Sequence, residues 1–230
     1  GVRYLNPVGR RENGGRVLFI QPAIGGPAGV TDGIPSMSGV LRYRGYGTGL
    51  IHMSKKKGNV PSDEEIVAMV REYNPDVIGY SALTMEYEDA RRISRRLQAE
   101  GDLARKLHVV GGVHTTMVPD EVLNHGDFDV VMPGEADDNF PNLVDAYMDG
   151  RDVSRLIGVN IHKDRFGRVA SLTGRGSLDG KVDESGNIKN GLGLFPDVAR
   201  IPWRDYELFD VETFLKVKSG FWGMLTGRGC

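Results

Sequence analysis

The chain has 230 residues, with 29 basic and 31 acidic side chains and a formal net charge of −2. This balance gives no electrostatic reason to bind nucleic acid or an anionic membrane. No apolar run approaches the roughly 20 residues that a membrane-spanning helix needs, and the polar residues 1–16 lack the apolar core of a signal peptide. Cys230 is the single cysteine, so no internal disulfide can form and a reducing cytoplasm is the expected compartment.

Five apolar runs between residues 16 and 152 have the composition of strands. In chain order they are RVLFIQPA (16–23), TGLIHMS (48–54), DVIGYSAL (76–83), LHVVGG (107–112) and FDVVMPG (128–134). Most are continuous rather than alternating, which is typical of strands covered on both faces of a parallel sheet. Helical patterns separate them. The clearest is residues 61–76, where Ser62 or Asp63 can cap the first turn and Pro75 forbids continuation.

Strand and helix alternate five times, which predicts an α/β fold: a flavodoxin-like, doubly wound, five-stranded parallel sheet over residues 16–152. Residues 1–15 are expected to be a flexible N-terminus. Residues 153–170 are predicted to form a small hairpin that turns at Phe166 and Gly167. Residues 171–220 are interpreted as a linker. Within it, the Gly-, Asp- and Asn-rich residues 173–193 are expected to be the least ordered, and residues 195–220 to pack back on the domain.

The loops after the strands hold the candidate site residues, because ligands bind at the carboxyl ends of the strands in an open parallel sheet. These loops supply glycines and hydroxyls but few charges, which suits a polar, largely uncharged ligand that approaches the backbone. No Walker loop and no Gly-x-Gly-x-x-Gly follows the first strand. No catalytic triad or paired-carboxylate arrangement stands out, and the five His are not spaced for a metal.

Taken singly, each candidate also has a purely structural interpretation. Ser81 can cap the following helix, and Gly111 with Gly112 can form a tight turn. His114 can be a surface or hydrogen-bonded residue, and Glu135 can sit in a first helical turn where the helix dipole favours acids. The functional interpretation therefore depends on how these residues combine.

The combination resembles a known family. The segments VLFIQPA, DEEIVAMVREYNPDVIGYSALTMEYEDARRI, HVVGGVHTTMVPDEVL and DFDVVMPGEADDNFPNLVDA are similar to the N-terminal cobalamin-binding domain of radical S-adenosylmethionine (SAM) enzymes. This family includes the anaerobic magnesium-protoporphyrin ester cyclase type and many methyltransferases. The resemblance covers about residues 16–165 and implies cobalamin as the cofactor.

The resemblance also implies which residues contact cobalamin. Ser81 and Leu83 match a Ser-x-Leu that lies beside the nucleotide tail, while Gly111 and Gly112 match a Gly-Gly where the tail passes close to the backbone. Gly134 and Glu135 match the family's Gly-Glu after the fifth strand. With the neighbouring loop residues, the implied cofactor-binding set is Ser81, Leu83, Thr84, Gly111, Gly112, His114, Gly134 and Glu135.

The C-terminal residues resemble the start of a second domain. ARIPWRDYELFD is similar to the family's linker, and LTGRGC is similar to the strand that opens a radical SAM barrel, so residues 221–230 would be that first strand. In the family this strand ends in the first cysteine of Cys-x-x-x-Cys-x-x-Cys, which holds a [4Fe–4S] cluster. The resemblance then implies that Cys230 is the first cluster ligand and that the other two cysteines lie in a C-terminal radical SAM domain of a longer protein. The cluster and SAM are implied as cofactors of that longer protein.

One departure concerns cobalt. Other cobalamin domains carry Asp-x-His-x-x-Gly after the first strand and ligate cobalt through its His, but residues 21–33 contain no His. The expected state is therefore cobalamin without the benzimidazole or a histidine on cobalt, positioned for methyl or electron transfer. His114→Ala is expected to leave binding largely intact.

Two alternatives stay open. The first is a degenerate domain of the same lineage that binds no cobalamin and has a structural or substrate-binding role. The second is an unrelated flavodoxin-like binding or signalling module. A phospho-acceptor receiver is disfavoured, because the third strand does not end in Asp.

Overall fold

The computed structural model describes residues 3–4, 14–25 and 32–220. Its strands are β1 (Arg3–Tyr4), β2 (Arg16–Gln21), β3 (Gly47–His52), β4 (Val77–Ser81), β5 (Leu107–Gly111), β6 (Val130–Val131), β7 (Asn160–Ile161) and β8 (Ile188–Lys189). Its helices are α1 (Gly33–Tyr43), α2 (Asp63–Tyr73), α3 (Tyr87–Gln98), α4 (Val113–Met117), α5 (Pro119–His125), α6 (Asn139–Met148), α7 (Phe166–Leu172) and α8 (Val211–Val217).

One sheet joins all of these strands, in the order β1-β3-β2-β4-β5-β6-β7-β8. The central five, β3-β2-β4-β5-β6, are parallel, which confirms the predicted α/β class and the five predicted strands. The prediction that the sheet has only five strands is wrong, because β1, β7 and β8 extend its edges with antiparallel pairing. These added strands are two residues long, too short to show a strand pattern in the sequence.

The central strands are buried on both faces, as their continuous apolar runs predicted. In β2, Val17 and Phe19 face one core with α1 and α6, whereas Leu18 and Ile20 face the other core with α2 and α3. Helix α2 begins at a capping box, in which Ser62 and Glu65 exchange side-chain and backbone hydrogen bonds. The helices cover the two faces of the sheet and leave the strand ends free.

The hairpin predicted at Phe166 and Gly167 is wrong, because helix α7 begins there. Val169 and Ala170 are buried against the sheet, and Arg168 donates to the fully buried carboxylate of Asp129 at 2.5 and 3.0 Å. Because Arg168 donates to both carboxylate oxygens of Asp129, the ion pair offsets the cost of removing that charge from water. These long-range contacts select the helix over the local turn signal.

Residues 173–193 contain a strand and a side-chain-bonded turn that the linker interpretation did not predict, while their rank as the least ordered segment stays a prediction. Asn187 and Ile188 are 3% and 1% exposed, and β8 pairs with β7. The Asp183 carboxylate accepts hydrogen bonds from the backbone of Ser185 and Asn187, which closes a turn. The Asp- and Gly-rich composition therefore builds specific turns.

Residues 195–220 pack back on the domain, as predicted. Leu208 and Phe209 are buried, and Asp205 accepts from Ser38 Oγ at 2.7 Å and from Arg42 at 2.8 Å. The predicted barrel strand with Cys230, and all of residues 1–15 except 3–4 and 14–15, lie outside the described residues. The predicted unit boundaries stay predictions. Within the described part of the chain, no helix is long and apolar enough to cross a membrane.

A buried histidine makes the fold sensitive to acid. His108 in β5 is 0% exposed, its Nε2 donates to the Leu103 carbonyl at 3.2 Å, and its Nδ1 lies 2.9 Å from the Tyr80 hydroxyl, which donates to it. Burial lowers the pKa of His108 to about 4. A depressed histidine pKa leaves stability unchanged at pH values where the ring is neutral in both states, and it makes the fold less stable as pH falls from about 6.5 through 4, because the unfolded chain takes up the proton more readily.

We therefore expect the free energy of unfolding to fall over this pH range more steeply in the wild type than in His108→Gln. Over this pH range the wild type should lose at most about 3 kcal/mol more free energy of unfolding than His108→Gln, which is the free energy that corresponds to the pKa shift. Chemical denaturation at a series of pH values measures it. Parallel pH profiles for the two proteins would contradict the assignment.

Candidate functional site

A cavity of about 650 Å³ opens at the carboxyl ends of β2, β4, β5 and β6. The chain leaves β2 toward β3 on one side and later enters β4 on the other, so this is the switch point of the sheet. Loop residues from all four strand ends line the cavity, together with Leu192, Gly193 and Phe195 from residues 153–220, the C-terminal extension. Its wall includes Gln21, Asp32, Met37, Ser81, Leu83, Glu86, Gly112, Thr116, Gly134, Glu135, Asp137, Leu192, Gly193 and Phe195.

The cavity continues inward as a narrow slot of about 40 Å³ between the sheet and helices α1 and α6. Gly79 and Gly111 form its sheet wall, with Met132 and Phe140 beside them. A Cβ on Gly79 would lie 3.2 Å from the Phe140 ring, and one on Gly111 would lie 3.3 Å from the Met132 carbonyl oxygen. The slot exists because these two positions carry no side chain.

Gly112 holds the β4 and β5 loops together. Its φ is +100°, and a Cβ there would lie 2.8 Å from the Ala82 carbonyl oxygen, so both the conformation and the contact require glycine. The same carbonyl accepts the His114 backbone N–H at 3.3 Å. A large residue at 112 would thus disrupt the loops themselves, and a Gly112→Leu variant cannot report on a ligand alone.

Gly134 meets Gly193 at the other end of the cavity mouth. The Gly193 N–H donates to the Pro133 carbonyl at 2.8 Å, and the Gly193 carbonyl accepts from Glu135 N–H at 3.2 Å. A Cβ on Gly134, whose φ is +86°, would lie 2.7 Å from the Gly193 nitrogen, and a Cβ on Gly193 would overlap the Glu135 carbonyl oxygen. This contact brings the rim residues Leu192 and Phe195 over the cavity.

Thr116 links the two glycine loops. Its hydroxyl donates to the Gly112 carbonyl at 3.0 Å and accepts from the Gly134 N–H at 2.9 Å. The loops after β5 and β6 are therefore held at a fixed spacing by one side chain that also lines the cavity.

The structure brings most of the predicted residues together. Five of them line the cavity: Ser81, Leu83, Gly112, Gly134 and Glu135. Gly111 lines the slot. Thr84 and His114 lie outside both linings and face each other, with His114 Nδ1 3.3 Å from Thr84 Oγ1. The His114 ring is 8% exposed and packs 4.1 Å from the Tyr87 ring.

Sequence reasoning missed several lining residues. Gln21 ends an apolar strand, and Glu86 stands at the start of a helical pattern, so neither carried a signal of its own. Glu86 is nevertheless only 2% exposed and accepts the Leu83 N–H at 3.0 Å. Burial raises the pKa of the Glu86 carboxyl. Gly193 could have been found only by knowing that residues 173–193 fold back.

Acidic and neutral polar groups make up the polar part of the described cavity wall. Its described lining contains the acids Asp32, Glu86, Glu135 and Asp137 and no Lys, Arg or His. Across the described ranges there is no group of three His, Cys, Asp or Glu residues that could hold a metal ion. Polar recognition must therefore come from hydroxyl, amide, carboxyl and backbone groups.

Comparison with known proteins gives a family. The profile of the B12 binding domain matches residues 30–144, which is half of the chain. An uncharacterized methyltransferase of Pyrococcus horikoshii is 24% identical over 174 residues, covering 72% of this chain and 32% of the relative. Cytidylyl-2-hydroxyethylphosphonate methyltransferase of Streptomyces wedmorensis is 23% identical over 181 residues, covering 74% and 34%. The chain thus spans about a third of the length of these relatives.

Solved structures share the fold. The cobalamin-dependent SAM radical enzyme OxsB, with aqua-cobalamin and SAM bound, has a TM-score of 0.64 at 15% identity and covers 89% of this chain and 26% of its own. The radical SAM methyltransferase TsrM from Kitasatospora setae has a TM-score of 0.56 at 15% identity, covering 65% of this chain and 29% of its own. At these identities the likeness shows the fold.

The Thr116 bridge yields a prediction. Thr116→Val keeps the shape of the side chain but leaves the Gly134 N–H without its acceptor, so we expect a loss of about 1 kcal/mol in the free energy of unfolding. Thr116→Ser retains the hydroxyl and serves as the matched control. Chemical denaturation of both variants measures the loss. Equal stability of the valine and serine variants would show that the bridge contributes nothing.

Proposed function

The chain belongs to the B12-binding domain family, and from that premise we propose that it binds cobalamin and holds it in position within a longer radical SAM enzyme. The observation that carries the proposal is the cavity of about 650 Å³ at the strand ends, which continues into the slot beneath it. In open α/β sheets this edge is where ligands bind.

The residues present fit a large, polar and largely uncharged group. The slot, walled by Gly79 and Gly111, accepts a flat moiety between sheet and helices only because both positions lack a side chain. Ser81 offers its hydroxyl at the junction of slot and cavity, and Leu83 offers an apolar wall. We propose that these residues hold the nucleotide tail, and that Gly134 and Glu135 contact the cofactor at the outer mouth.

The proposed cobalt state has neither benzimidazole nor protein histidine as the lower ligand. Residues 21–33 contain no His. His114 is turned toward Thr84 and Tyr87 and is not part of the described cavity wall. Bound cobalamin would supply a methyl group or an electron, whereas the residues of this chain bind and orient it.

The activity of the whole protein is a further proposal. The longer relatives, of which this chain spans about a third, include a methyltransferase, and the similar solved structures include enzymes that use SAM and cobalamin. We propose that a radical SAM domain with a [4Fe–4S] cluster follows this domain, with Cys230 as the first cluster ligand. Cobalamin would then lie between the two domains and serve methyl or electron transfer.

Titration of the purified protein with hydroxocobalamin tests the cofactor and its state. We expect tight binding with an absorption spectrum of the benzimidazole-off form and, after one-electron reduction, an EPR spectrum without nitrogen hyperfine splitting. Nitrogen splitting that disappears in His114→Ala would overturn the proposed cobalt state. Absence of binding, in this chain and in the longer protein alike, would favour the degenerate-domain alternative.

A substitution in the slot tests where the tail lies. Gly111→Val places methyl groups in a space of about 40 Å³, where the new Cβ lies 3.3 Å from the Met132 carbonyl oxygen, so the fold of the variant is checked by circular dichroism before binding is measured. We expect hydroxocobalamin affinity to fall at least about tenfold, because one buried overlap costs more than about 1.4 kcal/mol. Gly101→Val is the control, since nothing lies within 4 Å of a Cβ at that position. Unchanged affinity in a folded Gly111→Val protein would place the tail elsewhere.

A further inference from the structure

Gln21 is a buried polar side chain without a partner in the cavity wall. It ends the central strand β2, is 3% exposed and lines the cavity. Its Oε1 is fully shielded from solvent and accepts no hydrogen bond. Most buried polar atoms in proteins are paired, and one that is unpaired lowers stability. An unpaired acceptor in the wall of a ligand cavity has a simple explanation: the bound ligand donates the missing hydrogen bond.

The charges around Gln21 restrict what that donor can be. Glu86, in the same lining, would when ionised repel a negatively charged group placed beside it, whereas Asp32 is already paired with Arg204, whose Nε lies 3.7 Å away. Oε1 is an acceptor only and requires an N–H or O–H opposite it. A carboxylate on the ligand fails both conditions, because it brings negative charge and no donor.

We infer that Gln21 recognises a primary carboxamide of the bound ligand and that the site discriminates against the corresponding carboxylate. Cobalamin carries primary carboxamides around its corrin ring, so the inference deepens the proposed function and rests on it. A rotation of the Gln21 side chain that turns Oε1 to the cavity lets the ligand amide donate to it through its NH₂ group, and the ligand carbonyl can accept from the Gln21 side-chain NH₂.

Glu86 gives the amide a second polar neighbour. Its carboxyl lines the same cavity, and the bond from the Leu83 N–H involves only Oε2. Because burial raises its pKa, the carboxyl can keep a proton at a higher pH than an exposed glutamate and so can both donate and accept. A carboxylate ligand near an ionised Glu86 would instead meet like charge.

The probes for the test are cobalamin and its monocarboxylic acids, in each of which one corrin carboxamide has been hydrolysed. We expect the wild-type protein to bind at least one of these acids about tenfold or more weakly than cobalamin, the cost of an unpaired buried group. Gln21→Met removes the amide at similar volume and should bind cobalamin more weakly, with the discrimination largely lost. Gln21→Asn, which withdraws the amide from the cavity, should behave in the same way.

The apo protein supplies a readout that needs no cofactor. Gln21→Met removes an unsatisfied polar atom from a buried position, so its melting temperature without ligand should equal or exceed that of the wild type. A purely structural role for Gln21 predicts a lower melting temperature instead. The exposed Glu64, which is not a lining residue of the cavity, provides the control Glu64→Gln, which should change neither affinity nor discrimination.

The outcomes separate the two proposals. Absence of corrinoid binding, in this chain and in the longer protein alike, overturns both. A wild-type protein that binds cobalamin and its monocarboxylic acids equally overturns the role of Gln21 alone, and so do folded Gln21 variants that keep the wild-type discrimination. Loss of discrimination together with an unimpaired apo melting temperature supports the role.

Discussion

Backbone-to-backbone contact between loops is the constraint on which the candidate site depends. The loops after β4 and β5 touch at Gly112, and the loop after β6 touches the C-terminal extension at the pair Gly134 and Gly193. A side chain at any of the three positions would push a loop away from its neighbour. With the backbones in contact, Thr116 reaches both loops, and the neighbouring side chains turn toward the cavity. These glycines thus shape the cavity before any of them meets a ligand.

The C-terminal extension continues the same arrangement. Asp205 accepts from Ser38 and Arg42, which fixes residues 204–209 against α1 and beside β3. Tyr206 donates to Asp32 at the cavity wall, at 3.0 Å. The polypeptide therefore lines the cavity at 192–195 and then contacts the lining residue Asp32 through Tyr206 before it reaches α8. Any domain that follows would start from a segment already tied to the site.

Local patterns predicted the parts of the fold that local energetics determine. The five parallel strands, the cap at Ser62 and the glycines after β5 and β6 all follow from short-range signals in the sequence. Helix α7 and strand β8 do not, because they are selected by contacts distant in sequence, such as Arg168 with Asp129 and β8 with β7. Gln21 and Glu86 were missed for a related reason. After folding, Gln21 Oε1 has no hydrogen-bond partner and Glu86 is buried, and neither property can be read from the local sequence.

The contrast between the sheet interior and the cavity indicates where binding energy is available. Inside the sheet, His108 and Asp129 are buried and satisfied by neighbours, so their polar groups have nothing to gain from a ligand. At the cavity, Gln21 Oε1 is buried without a partner, and the Glu86 carboxyl has lost solvent. Folding has already desolvated these two groups. A ligand that pairs with them therefore gains the hydrogen bonds without the full cost of removing water, and an apolar ligand would gain nothing from them.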